Sequence, residues 1–107
     1  MIILNETKKG LKESPISNDI DNLIKMSGSK IYDITWFPYR SETKNYTFVE
    51  FAVLGFSNSE LEVYGKNTEI HILLNSITKI YIERKTSFLI YKVLTKQSGE
   101  LSFHIDD

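Results

Sequence analysis

From residue 57 onward the chain is interrupted every five to nine residues by short clusters of turn formers. This spacing constrains the fold more than any other feature. The separators are Ser57-Asn58-Ser59, Gly65-Lys66-Asn67-Thr68, Asn75-Ser76, Thr86-Ser87 and Gln97-Ser98-Gly99. Such residues turn the chain through local side-chain hydrogen bonds or positive φ. Between them lie segments 60–64, 69–74, 77–85, 88–95 and 100–105, rich in Ile, Val, Tyr and Phe as pleated surfaces prefer. A parallel crossover needs about a dozen residues. Successive strands joined by two to four residues therefore pair antiparallel.

Upstream, segment 31–37 places Tyr32, Ile34 and Trp36 on one side and stops at Pro38. Segment 46–57 is apolar on both faces: Tyr46, Phe48, Ala52 and Leu54 on one, Val49, Phe51 and Val53 on the other. That pattern predicts a central strand covered on both sides. Residues 17–27 are the helix candidate. Ser17 or Asn18 caps the start, Asp19 and Asp21 complement the helix dipole, and Ile20, Leu23 and Ile24 form one stripe before Gly28 stops it. Ile2, Ile3 and Leu4 suit a short edge strand. The fold expected is mainly β: an antiparallel meander of six or seven strands curled into a small barrel or sheet, with one short N-terminal helix, all in a single domain over 1–107.

Leu54-Gly55-Phe56-Ser57-Asn58, then Ile70-His71-Ile72-Leu73-Leu74-Asn75-Ser76-Ile77-Thr78-Lys79-Ile80, a strand pair and Gly99-Glu100-Leu101-Ser102-Phe103 follow a recognisable rhythm. Over about residues 54–105 it resembles bacterial pleckstrin-homology-like and GRAM-type domains. The resemblance implies a small antiparallel barrel. It departs from the family pattern in two ways. The helix precedes the meander, with only Asp106 and Asp107 after Ile105, and the first hairpin mixes Arg40 and Lys44 with Glu42, so no head-group site carries over.

Thirteen basic residues against fourteen acidic ones give a net charge of −1, without the basic footprint of a general nucleic-acid binder. The absence of cysteine excludes disulfides and thiolate metal sites. With no long apolar stretch and no basic-apolar leader, the expected location is cytoplasmic.

No phosphate-cradling glycine motif occurs. His71 and His104 alternate with apolar residues and read as polar-face positions. Glu60 and Glu62 read as solvent-facing sheet charge, and Ser57, Ser59, Ser76, Ser87 and Ser98 as turn chemistry. The expectation is a non-enzyme without metal or cofactor.

Nine of the aromatic residues fall within 32–64. Trp36-Phe37-Pro38-Tyr39-Arg40 is the sharpest interface candidate, with Lys44 and Tyr46 beside it, because aromatics near an arginine have hot-spot composition. The Lys-, Ile- and Asn-rich usage accords with a bacterial or phage origin. The function read from these features is a small inhibitor, immunity or phage accessory protein that blocks or tethers a protein partner. Two alternatives stand: a lipid or peptide binder acting at a membrane surface through Lys30, Arg40 and Lys44, and a homo-oligomeric barrel subunit pairing through an edge strand such as 100–105. Lys79 and Tyr81 could stack nucleic acid, but Glu83 beside them opposes it.

Overall fold

The computed structural model describes residues 2–4, 17–37, 46–48, 50–57, 59–96 and 99–106. The elements in chain order are β1 (Ile2–Leu4), α1 (Ser17–Ile24), β2 (Lys30–Phe37), β3 (Tyr46–Phe48), β4 (Ala52–Ser57), β5 (Glu60–Gly65), β6 (Thr68–Leu73), β7 (Ile77–Arg84), β8 (Phe88–Thr95) and β9 (Glu100–Asp106). Seven strands form one antiparallel path, β6-β5-β4-β2-β9-β8-β7. β1 adds to β6 in parallel, and β3 pairs with β2. The mainly β expectation holds, with the sheet curled and open rather than closed as a barrel.

The curl follows from one connection. β6 and β7 lie at opposite ends of the antiparallel path, yet only the 3-10 turn Leu74–Ser76 joins them. Laid flat, seven strands would separate them by roughly 29 Å at ~4.8 Å per strand. Four backbone steps from Leu73 to Ile77 reach at most about 14 Å. The sheet must therefore bend round on itself. The corner is pinned by three hydrogen bonds: Ser76 Oγ donates to the Leu73 carbonyl at 2.8 Å, the Lys96 N–H to Ser76 O at 2.8 Å, and the Leu74 N–H to Ser59 O at 2.8 Å.

Bending gives an inner face that is apolar apart from the buried Thr68 and Thr95. Ile34, Leu54, Val63, Ile72, Val93, Leu101 and Phe103 there are solvent-free. α1 adds Ile20 and Leu23 to this cluster, and the Tyr91 hydroxyl donates to Met26 Sδ at 3.0 Å. The regular helix ends at Ile24, three residues before the expected boundary, because Met26 and Ser27 bond back only three residues, to Leu23 and Ile24. Gly28 then takes φ 89°, and its N–H reaches the Leu54 carbonyl at 2.7 Å. Positive φ is what glycine supplies without a steric cost.

Three expectations are corrected. Asp33 sits in a β-bulge at φ 49°, where two residues of β2 oppose one of β9. The bulge shifts the alternation, so Ile31, Ile34 and Trp36 are buried together while Tyr32 faces outward. The single strand over 46–57 is two, β3 and β4, and its outer side is uncovered: Phe51 and Val53 are exposed because α1 packs on the inner face. The suggested edge strand 100–105 is interior, with β9 paired to both β2 and β8; among the described residues β1 and β7 end the strand path, and β3 pairs only with β2.

Candidate functional site on the outer face

Strand register carries a band of aromatic and apolar side chains across the outer face. Tyr64 pairs with Val53, and Val53 with Lys30. Tyr32 pairs with His104, and His104 with Ile90. Tyr32 is the hub, with its ring 5.6 Å from Phe51, 6.4 Å from Phe88 and edge-on to His104 at 5.4 Å. Phe88 stacks on His104 at 4.8 Å and 14°. The Tyr32 hydroxyl donates to Asp106 Oδ1 at 3.1 Å; desolvation and that carboxylate raise its pKa above the ordinary phenol value. The bulge brings Asp33 Oδ2 within 3.3 Å of His104 Nδ1. This stack supports a surface that is strongly apolar: Phe51 is 65% exposed, Val53 44% and Tyr64 43%.

Tyr64 connects the band to a second cluster on β5 and β6. Glu62 lies directly across from His71. His71 Nδ1 is 3.4 Å from both Glu60 Oε2 and Glu62 Oε2, and its Nε2 is 3.6 Å from Glu69 Oε1. Glu62 is buried at 8% exposure and accepts the hydroxyls of Ser57 and Tyr64. The Ser57 hydrogen bond, then that of Tyr64, and more weakly the His71 charge hold its carboxyl below the usual range against desolvation. Reciprocally, the Glu62 carboxylate pushes the Tyr64 hydroxyl up to about 12. The Tyr64 ring stands edge-on to His71 at 5.5 Å.

Ligand atoms from Glu60, Glu62 and His71 all lie within 4.8 Å of one another. Two carboxylate oxygens and an imidazole nitrogen are a donor set suited to a first-row divalent cation, with Ser57 and Tyr64 placed to orient Glu62 from behind. Reading Glu60 and Glu62 as a solvent-facing pair is therefore corrected for Glu62, which is sequestered. The sequence did carry a signal. Counting back from the Gly65-Lys66-Asn67 turn sets Glu-x-Glu of one strand against Glu-x-His of the next.

Of the residues expected from sequence to form an interface, Trp36, Phe37 and Tyr46 lie together where β2 pairs with β3. Trp36 is 4% exposed and belongs to the core, so it offers no surface. Phe37 is exposed at the end of β2. Tyr46 begins β3, opposite Trp36. Tyr39, Arg40 and Lys44 lie outside the described residues. The double-sided apolar pattern of 46–57 predicts burial for Phe51 and Val53, which the structure exposes; Tyr64, outside that segment on β5, is exposed beside them.

Among the described residues no helix is long and apolar enough to cross a membrane. Comparison with family models, with curated proteins and with solved structures finds no match.

Proposed function

We propose that the chain is a non-catalytic protein-binding module that docks its partner on the outer face of β2, β4 and β5, in the manner of a small inhibitor, immunity or accessory protein. The observation that carries this reading is the contiguous exposure of Phe51, Val53 and Tyr64 over the Tyr32–His104–Phe88 stack. Phe51 packs against Tyr32 and Tyr64 is hydrogen-bonded to Glu62, and side chains so held lose little conformational entropy on binding, which is the character of interface hot spots. Glu60 and Glu69, both half-exposed, border the band on one side, so the matching partner carries an apolar centre with basic residues at its rim.

The test is capture from source-cell lysate by the wild-type chain and by a Phe51→Ser/Val53→Thr variant. Both side chains are exposed, so the variant retains the fold. One stoichiometric protein held by the wild type and weakened at least about tenfold by the variant supports the proposal. Equal capture by both, or binding only to anionic vesicles, counts against it.

A further inference from the structure

We propose that a second copy of this chain pairs antiparallel along the free edge of β7, about a two-fold axis through Tyr81, joining two sheets into one. This surface is separate from the outer-face band and does not rest on the reading given for it.

Among the described residues β7 has a strand neighbour only on its β8 side. It is the longest of the strands paired on one side only, eight residues against three in β1 and three in β3. Its second half also stands clear of the core. Ile82 lies on the inner-face side, opposite Tyr91, yet is 50% exposed, and Tyr81, Glu83 and Arg84 are exposed too. The row of main-chain N–H and C=O groups along such an edge is completed by another extended strand.

The side chains select which strand. Lys79, Tyr81 and Glu83 share the outer face, and Ile80 and Ile82 the inner. In the antiparallel register centred on Tyr81, Lys79 stands opposite Glu83 of the second copy, and this pair occurs twice. Ile80 stands opposite Ile82 of the second copy, also twice, and the two Tyr81 rings meet at the axis. Directly opposed charge pairs and apolar pairs are the favourable units of sheet pairing. Moving the axis to Ile82 sets Lys79 against Lys85 and Ile80 against Arg84. Moving it to Ile80 sets Lys79 against Tyr81 and Ile82 against Thr78. Parallel, in-register stacking sets each charge against itself. The same charges that guard the edge against promiscuous pairing therefore permit one closed, two-fold arrangement. A shallow groove lined by Tyr81, Ile82, Glu83, Ile90, Lys92 and Glu100 crosses β7 and β8 toward β9, on the side of β7 away from this edge.

The experiment is sedimentation equilibrium of the full chain, with circular dichroism to confirm the fold of each variant. The wild type is expected to show a reversible monomer–dimer equilibrium. Glu83→Lys sets Lys79 against a lysine and should weaken the dimer at least about tenfold, and Lys79→Glu should do the same against Glu83. The double variant Lys79→Glu/Glu83→Lys restores opposite charges and should recover wild-type affinity. A wild-type chain that stays monomeric at the highest soluble concentration overturns the proposal. So does a dimer that the single reversals leave intact, or that the double reversal fails to rescue.

Discussion

Glu62 and Tyr64 share one proton-dependent contact, and each sets the other's acidity. A carboxylate accepting two hydroxyls is favoured in its charged form, and a phenol donating to a carboxylate is favoured in its neutral form. The consequences for stability have opposite signs. The folded-state pKa of Glu62 is lowered, so its contribution is present above the ordinary carboxylate range and is lost as pH falls through the lowered value. The folded-state pKa of Tyr64 is raised, so its contribution is present below 10.0 and is lost as pH rises toward about 12. Replacing Glu62 by Gln removes both effects. The phenolate absorbance of Tyr64 should then move from about 12 back toward 10.0, and stability should fall less steeply on acidification than in the wild type. Ultraviolet pH titration and acid-dependent thermal unfolding read these two outcomes. Ser59, at φ 69° in the β4–β5 turn, was legible as a turn residue, but its left-handed conformation was not.

At the scale of elements, Glu50 sits between β3 and β4 and ties that break to the next hairpin. Its carboxylate accepts the Asn67 N–H at 2.9 and 3.1 Å and the Thr68 hydroxyl at 2.8 Å. The Asn67 N–H, then the Thr68 hydroxyl, hold its pKa below the usual carboxylate value. The β5–β6 hairpin is thus capped by a residue 17 positions upstream. Gly65 makes room for it, because a Cβ there would lie 2.8 Å from Glu50 Oε1 and 3.3 Å from the Ala52 Cβ. Gly65→Ala should therefore push the carboxylate off Asn67 and lower Tm, and Glu50→Ala should lower it too. The double variant should lose scarcely more than the worse single one, because both remove the same contacts. Thermal melts of the four proteins complete that cycle. The five strands after residue 59 could be placed from sequence because each is bounded by turn residues, though the register shift between Ile77 and Lys79 in β7 was not legible. The bulge at Asp33 and the break at Glu50 could not, since both depend on partners distant in sequence: β9 in one case, the hairpin turn in the other.

For the whole molecule, the inner face is a single cluster in which both halves of the sheet meet, and Phe103 lies at its centre. It is fully buried and stacks on Tyr91 at 5.5 Å with the rings nearly parallel. Phe103→Ala should cost about 3–5 kcal/mol, a large part of the ~5–15 kcal/mol typical of a domain. Urea unfolding followed by the fluorescence of Trp36, the only tryptophan and a core residue, should show an earlier midpoint with little change in slope. Which face of the sheet is buried was not legible from composition; it depends on which side the helix takes. The pairing of β2 with β9 has a kinetic consequence. Tyr32 and Asp106, neighbours in the finished sheet, are 74 positions apart in the chain. The strand that holds β4 on one side therefore waits, as the polypeptide leaves the ribosome, for β9 to be synthesised before its other side is filled. Local hairpins form early, and the seam between the halves closes last, against the largest loop entropy in the fold.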